Sequence, residues 1–317
     1  MAKVYVTREL PIGGLDSLAE HHVDTNPNDR PLTREELLAV VKEYDGVISL
    51  LSDKIDWEII QAARDKVKIF ANYAVGYDNI DIARAAKAGI YVTNTPGVLT
   101  EATADIAWAL LLATSRHIVA ADKFTRLGKF QGWHPTLFLG GDFHGATLGI
   151  VGAGRIGQAT ARRAKGFGMK VLYYNRSPRP EFEAQDARGV DLKTLLAESD
   201  YVSLHLPLTP ETHGLLDAAH LELMKPTAVL VNTARGPVVD EAYLAQMLSQ
   251  GRLAAAGFDV YAQEPKIHPD LLGLENVVLL PHIGSASRQT RIKMAEMAAA
   301  NVLAVLAGGE PLNPVLP

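Results

Sequence analysis

Three side chains able to move a proton or bind an anion stand just beyond apolar segments in the second half of the chain. They are Arg235, Glu264 and His282, and each follows a run with the length and composition of a buried β-strand. Ligands of an open α/β sheet bind beyond the carboxyl ends of its strands. We therefore predict that an arginine, an acid and a histidine meet at one edge of a sheet.

Each of these residues alone has an ordinary structural explanation. Arg235 could pair with an acid at the surface, Glu264 could be a solvated turn residue, and His282 could be a satisfied buried histidine. Together they suit the reduction of a carbonyl group that lies next to a carboxylate, because the negative charge that develops on oxygen needs a proton and a fixed cation. His282 would donate the proton, since an imidazole in water has a pKa of about 6.5. Glu264 would orient the ring, and Arg235 would bind the carboxylate or the carbonyl oxygen through its planar donor fork.

Such a reduction needs a hydride donor, and residues 147–174 carry the pattern of a dinucleotide-binding unit. Gly152, Gly154 and Gly157 form a G-x-G-x-x-G motif between an apolar strand and a helix-forming segment, and a second apolar strand follows. Gly152 permits the tight turn, Gly154 lets a pyrophosphate approach the backbone, and Gly157 lets the helix pack closely on the strand. The motif in this context predicts a nicotinamide dinucleotide site.

The end of the second strand indicates which dinucleotide is preferred. An NAD site usually carries Asp or Glu there to bind the ribose 2′-hydroxyl, but this chain has Asn175, Arg176 and Ser177, with Arg179 close behind. Guanidinium and hydroxyl donors would bind a 2′-phosphate that a carboxylate would repel. We predict NADP(H) as the preferred cofactor and NAD(H) as the alternative. The alternative interpretation is that Arg176 and Arg179 are ordinary solvated surface charges.

The elements that would position these residues alternate as strands and helices along the chain, which is typical of an α/β fold. Around the glycine motif, six strands give the count of a full dinucleotide-binding sheet; they are predicted at 147–151, 170–174, 201–206, 228–232, 254–258 and 277–280. Before the motif, strands are predicted at 3–6, 46–51, 67–72 and 89–92, and helices at 33–44, 57–64 and 82–88.

This alternation of strands and helices predicts two doubly wound parallel-sheet domains. The first is flavodoxin-like and is short of helices to cover its sheet, so the last predicted helix, 288–307, is expected to return to it. A Rossmann dinucleotide-binding domain, 98–286, would then be inserted in a substrate-binding domain made of 1–97 and 287–317. Thr33 and Glu36 have the spacing of a capping box for the first helix.

Three further segments have features that a fold alone does not require. In Asn72 to Tyr77, which follows a predicted strand, the N–H groups around Ala74, Val75 and Gly76 could form an anion nest, and a plain glycine turn is the alternative. Residues 94–97, Asn-Thr-Pro-Gly, are typical of a linker before a helix at 100–117 with Thr100 as its N-cap. Residues 129–144 form an irregular arm rich in aromatic residues, which often dock on another surface.

Composition excludes several other classes of function. The chain has 317 residues, 48% hydrophobic and 21% charged, as in a soluble globular protein, and its net charge of −5 disfavours nucleic-acid and membrane-surface partners. Its apolar runs are shorter than a bilayer span, and Met1 to Leu10 lacks the continuous apolar core of a secretory signal, so a cytoplasmic location is expected. The absence of cysteine excludes disulfides, thiolate catalysis and Cys-ligated metal centres, and we predict no metal site.

The motifs resemble those of the D-isomer-specific 2-hydroxyacid dehydrogenases from end to end. The resemblance is carried by VGAGRIGQA, LHLPLTPETHGLL, MKPTAVLVNTARGPVVDEAYL, AAAGFDVYAQEP and LLPHIGSAS. Within that family the chain is most similar to the glyoxylate/hydroxypyruvate reductase branch, through LLSD at 50–53, VGYDNID at 75–81, VLTEATAD at 98–105 and the Trp133-x-Pro135 arm. The residue Asn175 departs from the acid that many members of the family have, in agreement with the NADP(H) prediction.

The resemblance implies NADPH-dependent reduction of glyoxylate to glycolate and of hydroxypyruvate to D-glycerate, with Arg235, Glu264 and His282 as the catalytic set. It also implies a homodimer formed through the cofactor domain, in which Trp133 reaches the neighbouring active site. Implied cofactor contacts, beyond the glycine motif, residues 175–177 and His282, are Thr103, Arg155, Ile156, Leu206, Pro207, Thr212, Thr233, Ala234, Asp259 and Gly284. Implied substrate contacts, beyond Arg235 and His282, are Leu51, Val75, Gly76 and Ser285.

Two alternatives remain at this stage. The same machinery could act on a larger 2-oxo acid such as 2-ketogluconate, or on another D-2-hydroxyacid. A nucleotide-sensing corepressor or scaffold could also keep these residues, since such proteins resemble the family.

Overall fold

The computed structural model describes residues 1–183 and 186–317. The chain divides into two compact units, the first made of Met1–Leu99 and Ser285–Pro317 and the second of Thr100–Gly284.

Among the helices of the described ranges, none alone is long and apolar enough to cross a bilayer. Thr100–Ser115 and Ile118–Arg126 meet that requirement of length and composition only as a pair bent by 62°.

Helices and strands alternate along most of the chain. The first unit contains β1 (Lys3–Val6), β2 (His22–Thr25), α1 (Arg34–Glu43), β3 (Gly46–Ser49), α2 (Trp57–Ala63), β4 (Ile69–Asn72), α3 (Ile82–Lys87) and β5 (Tyr91–Thr93). The second unit contains α4 (Thr100–Ser115), α5 (Ile118–Arg126), β6 (Thr147–Val151), α6 (Arg155–Ala164), β7 (Lys170–Tyr174), α7 (Pro180–Glu183), β8 (Ala187–Gly189), α8 (Leu192–Glu198), β9 (Tyr201–Leu204), α9 (Ala218–Leu221), β10 (Val229–Asn232), α10 (Glu241–Ser249), β11 (Ala255–Phe258), α11 (Pro269–Leu272) and β12 (Val277–Leu279). The chain then returns to the first unit with α12 (Arg288–Leu306).

The first unit is built on five parallel strands in the order β2-β1-β3-β4-β5, the flavodoxin-like order. The helix α12 packs on β3 and β4 and buries Ala298, Ala299 and Val302. The capping box predicted for α1 is confirmed: the Thr33 hydroxyl accepts the Glu36 N–H, and the Glu36 carboxylate accepts the Thr33 N–H. The helix α12 therefore covers part of the sheet of the first unit.

The strand β2 was not predicted. Its segment His-Val-Asp-Thr contains one apolar residue and no buried one, because β2 pairs only with β1 at the edge of the sheet. An edge strand with two open faces shows neither an apolar run nor an alternation.

The second unit is built on seven parallel strands in the order β12-β11-β10-β9-β6-β7-β8. The strand order reverses between β6 and β9, which is the topological switch point where doubly wound sheets bind ligands. The predicted fold class, two parallel sheets with helices on their faces, is confirmed. The predicted number of six strands was wrong for this sheet, because β8 has only the three residues Ala-Arg-Gly and lies at an edge.

Two details around α4 also differ from the prediction. Thr100 is the first helical residue rather than the N-cap, and the helix ends at Ser115. The helix α5 follows directly and was not predicted; none of its residues is buried, and its apolar side chains Ile118 and Val119 are exposed.

Candidate active site

The carboxyl ends of six strands in the second unit lie in one row. Residue pairing aligns the last residue of each strand with the last residue of its neighbour, in the order Tyr174, Val151, Leu204, Asn232, Phe258 and Leu279. The loops that carry the glycine motif, Arg235, Glu264 and His282 therefore leave the sheet at the same level. This register is what brings the predicted residues to one edge.

The His282 and Glu264 side chains form a hydrogen-bonded pair. The distance from His282 Nδ1 to Glu264 Oε2 is 2.8 Å, and Glu264 Oε1 accepts the Tyr261 N–H at 3.1 Å. About a third of each side chain is exposed, 32% for His282 and 37% for Glu264, so the pair is accessible to a small molecule. An ionised Glu264 accepts from Nδ1, which leaves Nε2 without a partner among the residues described.

The pKa of Glu264 lies below its ordinary value of 4.5. Burial acts to raise it, but the hydrogen bond and charge of His282, the Tyr261 N–H and the positive charge of Arg235 together outweigh the burial. The acid is therefore ionised at neutral pH and can fix the tautomer of the imidazole.

The backbone at His282 has a φ of 55°, a left-handed conformation that a non-glycine residue rarely adopts. Asp259 holds it there, because its two carboxylate oxygens accept the N–H groups of Ile283 at 2.7 Å and Gly284 at 2.6 Å. A Cβ atom on Gly284 would lie 3.0 Å from Asp259 Oδ2 and 3.3 Å from Thr103 Cγ2, so a glycine allows this close approach. Asp259 is 1% exposed, and burial raises its pKa despite the two N–H donors and the His282 charge.

Arg235 stands at the start of a 3-10 helix, Gly236–Val238, and is half-buried. Its Nη1 donates to the Ala234 carbonyl at 2.8 Å, and the Asn232 side chain donates to the Arg235 carbonyl at 2.9 Å. A Cβ atom on Gly236 would lie 1.9 Å from the Tyr261 carbonyl carbon, so only glycine fits. This contact places the Arg235 loop directly against the loop that carries Glu264.

Two residues that support this arrangement, Glu241 and Tyr261, were not predicted. Glu241 is 6% exposed and accepts the Ala262 N–H at 2.6 Å, and burial raises the pKa of its carboxyl group. The Tyr261 hydroxyl donates to the Leu280 carbonyl at 2.8 Å, two residues before His282, and burial raises its pKa to about 12. Both contacts join segments far apart in sequence, so no local pattern could reveal them.

The glycine motif has the geometry that its spacing predicts. Gly152 has a φ of 102°, and a Cβ on Gly157 would lie 2.1 Å from the Gly152 carbonyl oxygen, so the helix α6 can approach the strand only with glycine there. A Cβ on Gly154, by contrast, would meet no atom within 4 Å. The N-terminus of α6, with Arg155 and Ile156 as its first residues, is therefore open to an anion.

The residues after β7 are mostly exposed. Asn175 differs, because its side-chain oxygen accepts the Ala153 N–H at 3.2 Å and its amide group donates to the Ser177 carbonyl at 2.8 Å. Arg176 and Ser177 are exposed, and Arg179 lies 3.8 Å from the Glu181 carboxylate. Asn175 thus braces the glycine loop, whereas the Arg176 side chain is exposed beside it.

The other predicted cofactor contacts lie on the same edge or close to it. Leu206, Pro207 and Thr212 belong to the loop after β9, and Thr233 and Ala234 follow β10. The Thr233 hydroxyl is buried and has no hydrogen-bond partner within residues 1–183 and 186–317. An orphaned polar atom at this edge fits a site that a ligand completes.

The predicted substrate contacts outside this cluster are described unit by unit. In the first unit, Leu51 follows β3, Val75 and Gly76 follow β4, and Ser285 precedes α12. In the second unit, Trp133 lies on the irregular arm and is 85% exposed.

Replacing Glu264 with glutamine tests the His282–Glu264 pair. Because the folded pKa of Glu264 is lowered, its carboxylate stabilises the fold above about pH 4.5, and that contribution is lost as the pH falls through the folded pKa. We expect Glu264→Gln to have a shallower decline of melting temperature between about pH 5 and pH 3. The turnover number should fall by about 100-fold, because the imidazole loses its orienting acceptor.

Glu275→Gln, at an exposed position of the same unit, is the matched control and should behave like the wild type. An unchanged turnover number in a folded Glu264→Gln protein would show that the pair has no role in the reaction.

Comparison with known proteins agrees with this geometry. The family described as "D-isomer specific 2-hydroxyacid dehydrogenase, NAD binding domain" matches residues 108–284. A glyoxylate reductase of Thermococcus litoralis is 51% identical over 98% of this chain and 96% of that protein. A crystal structure of a Thermus thermophilus protein matches with a TM-score of 0.93 at 48% identity, covering 99% of this chain and 100% of that one.

A further match is an NADPH-dependent glyoxylate/hydroxypyruvate reductase from Sinorhizobium meliloti, crystallised in complex with NADP and malonate. Its TM-score is 0.86 at 34% identity, covering 99% of this chain and 96% of that one. The second unit therefore contains an NAD(P)-binding domain, and the chain belongs to the D-isomer-specific 2-hydroxyacid dehydrogenase family.

Proposed function

We propose that this protein reduces glyoxylate to glycolate and hydroxypyruvate to D-glycerate, with NADPH as the preferred donor. One observation carries the proposal: the His282–Glu264 pair, 2.8 Å apart and adjoining the Arg235 loop, lies on the sheet edge that also carries the glycine motif. The relatives that match nearly the whole chain are named glyoxylate reductase, and the Sinorhizobium meliloti neighbour is named for both substrates.

The residues of this edge fit a nicotinamide dinucleotide. The open space at Gly154 admits a pyrophosphate at the N-terminus of α6, and the orphaned Thr233 hydroxyl offers a polar contact further along the edge. When bound at this edge, the reduced nicotinamide would supply the hydride that the 2-oxo carbon accepts.

The side chains of the site donate the proton and bind the negative charge of the substrate. His282 Nδ1 donates to Glu264, and in the imidazolium form, whose positive charge the Glu264 carboxylate balances, Nε2 carries a second proton. That Nε2 proton passes to the carbonyl oxygen, which becomes the hydroxyl of the product, and leaves the neutral ring with its proton on Nδ1. Arg235 binds the substrate carboxylate or the developing oxyanion through its guanidinium group. Glu264 keeps the ring in one tautomer, and Asp259 keeps the His282 backbone in its unusual conformation.

The first unit supplies further donors for a carboxylate. The N–H groups of Val75 and Gly76 are the proposed contacts there, with Leu51 and Ser285 as further substrate contacts. These backbone donors recognise the anionic group that all 2-oxo acids share, whereas the side chains around it set the size of acid accepted.

The cofactor preference rests on the absence of an acid after β7 and on the exposed Arg176 guanidinium. The pKa of Glu211 is lowered, first by a hydrogen bond from Thr209 and to a smaller extent by the charge of Arg176. Arg176 thus acts electrostatically on the loop after β9, which carries the predicted cofactor contacts Leu206, Pro207 and Thr212. A cation in this position favours a 2′-phosphate.

The arm and α5 support a homodimer. Trp133 is 85% exposed, and large apolar side chains are exposed beside it in the sequence: Ile118, Val119, Leu127, Phe130 and Leu139. A concentration of exposed apolar residues in one segment marks a protein–protein contact. We infer that this segment binds a second copy and that Trp133 contributes to the partner's active site.

Steady-state oxidation of NADPH and NADH with glyoxylate, hydroxypyruvate, pyruvate and 2-ketogluconate tests the function. The highest kcat/KM is expected for glyoxylate or hydroxypyruvate with NADPH. Arg176→Ala should lower kcat/KM for NADPH by about tenfold or more and leave that for NADH unchanged, because only NADPH carries the phosphate.

Arg188→Ala removes another exposed arginine of the same unit, one that pairs with Glu198, and should leave both cofactors unaffected. Preference for 2-ketogluconate would assign the enzyme to larger acids, and nucleotide binding without turnover of any acid would favour a nucleotide sensor.

Sedimentation equilibrium tests the oligomeric state. The wild type is expected to have the mass of a dimer, and Val119→Asp should shift it toward the monomer by placing a charge in an apolar contact. Trp133→Ala should raise KM for glyoxylate. A wild type that is monomeric at assay concentration would contradict the contribution of Trp133 to a neighbouring site.

A further inference from the structure

Two backbone N–H groups in the loop after β4 have no acceptor among the residues that the structure describes. They belong to Val75 and Gly76, and neither donates to any atom of residues 1–183 and 186–317. Both residues are half-buried, so the N–H groups are not simply solvated on an open surface. Partly buried donors without an acceptor are the feature that an anion would complete.

The carbonyl groups of the same segment, by contrast, are all engaged. The Asn94 amide donates to the Val75 carbonyl at 2.8 Å, and the Thr95 N–H donates to the Ala74 carbonyl at 2.8 Å. The Asn72 amide donates to the Gly76 carbonyl at 2.8 Å. Three consecutive carbonyl groups are therefore fixed by polar groups of the same unit.

Fixing a carbonyl group also fixes the direction of the next N–H. In a planar trans peptide the C=O and the N–H point in opposite directions. Thr95 therefore turns the Val75 N–H away from the segment that follows β5, and Asn94 turns the Gly76 N–H away from the same segment. The two free donors are held on one side of the loop, where a single carboxylate can accept both.

We propose that Asn94 is a positioning residue that aims the Gly76 N–H, beside that of Val75, at the carboxylate of the 2-oxo acid. The inference rests on the proposed function, since it assigns the loop after β4 to that substrate. Asn94 does not touch the substrate; it acts through the Val75–Gly76 peptide. It lies in the segment 94–97 that the sequence analysis assigned to a linker.

The chemistry of the side chain suits this task. A neutral amide donates to a carbonyl without adding a negative charge near a bound anion. Aspartate has nearly the same shape but cannot donate when ionised, and its charge would repel both the Val75 carbonyl oxygen and the substrate carboxylate. Asn94 is half-buried at the end of β5, so the side chain can be changed without opening a cavity in the core.

The test compares Asn94→Ala and Asn94→Asp with the wild type. Three constants are measured: KM for glyoxylate, the inhibition constant of oxamate as a carboxylate that is not reduced, and KM for NADPH. In Asn94→Ala, KM for glyoxylate and the inhibition constant of oxamate should rise together by about 10- to 100-fold, as expected when a binding group is misplaced. The rise should be larger in Asn94→Asp, while KM for NADPH stays within about twofold of the wild type.

Asn276→Ala is the matched control. The Asn276 amide also donates to two backbone carbonyls, those of Leu248 at 3.3 Å and Ala254 at 3.0 Å, but it precedes β12, at the opposite end of the strand from the active-site row. Asn276→Ala should leave all three constants unchanged. An effect seen only at position 94 then does not come from the loss of an amide-to-carbonyl hydrogen bond in general. Melting temperatures establish that each variant is folded, and the isosteric Asn94→Asp replaces alanine if the latter does not fold.

Two results would overturn the inference. One is an unchanged KM for glyoxylate and an unchanged oxamate constant in a folded Asn94→Asp protein. The other is a parallel rise in KM for NADPH, which would mean a general structural role. Failure of the proposed function would look different, because the wild type itself would then reduce neither glyoxylate nor hydroxypyruvate.

Discussion

The two hydrogen bonds that Asp259 accepts from the backbone beyond β12 are the constraint on which the active-site geometry depends. They hold the Ile283 and Gly284 N–H groups at 2.7 and 2.6 Å, and thereby keep His282 at a φ of 55°. A residue in such a conformation costs about 1 to 3 kcal/mol, so it persists only where the surroundings enforce it. Burial of the Asp259 carboxylate raises its pKa, which shows that its charge is itself costly and is tolerated because both oxygens are satisfied.

The remaining geometry follows from close approaches that only glycine allows. Gly236 lets the Arg235 loop pass within contact of the Tyr261 backbone, and Gly157 lets α6 lie against the turn at Gly152. Glu241 and the Tyr261 hydroxyl then tie the Glu264 loop to α10 and to the segment before His282. The Arg235, Glu264 and His282 loops, which leave the sheet in register, are thus joined by a close backbone approach and by two hydrogen bonds between buried side chains and the backbone. Such a frame can hold a proton donor and a cation at fixed positions before the substrate arrives.

Much of this arrangement could be predicted from strand ends. Parallel strands with apolar runs bring their carboxyl ends together, so the sequence alone predicts that Arg235, Glu264 and His282 lie at one sheet edge, and the glycine motif predicts that a dinucleotide binds there. The short edge strands β2 and β8 could not be found in this way, because a strand that pairs on one side and faces solvent shows no apolar periodicity. Glu241 and Asn94 form hydrogen bonds with backbone groups that are distant in sequence, those of Ala262 and Val75. The residues next to Glu241 and Asn94 in the sequence give no sign of these bonds. Asn175 shows the limit most clearly: its type led to the prediction of NADP(H), but the hydrogen bonds by which its side chain braces the glycine loop have no signal in the sequence.

The central claim is that His282 donates the proton, and one comparison of two proteins tests this claim most directly. NADPH binding, followed by the fluorescence of the bound nicotinamide, and the rate of glyoxylate reduction in a single turnover are measured for the wild type and for His282→Gln. We predict that His282→Gln binds NADPH with wild-type affinity, because the glycine loop is intact. The variant should reduce glyoxylate at least about 100-fold more slowly, because the proton donor is lost. Reduction at the wild-type rate by the folded variant would contradict it.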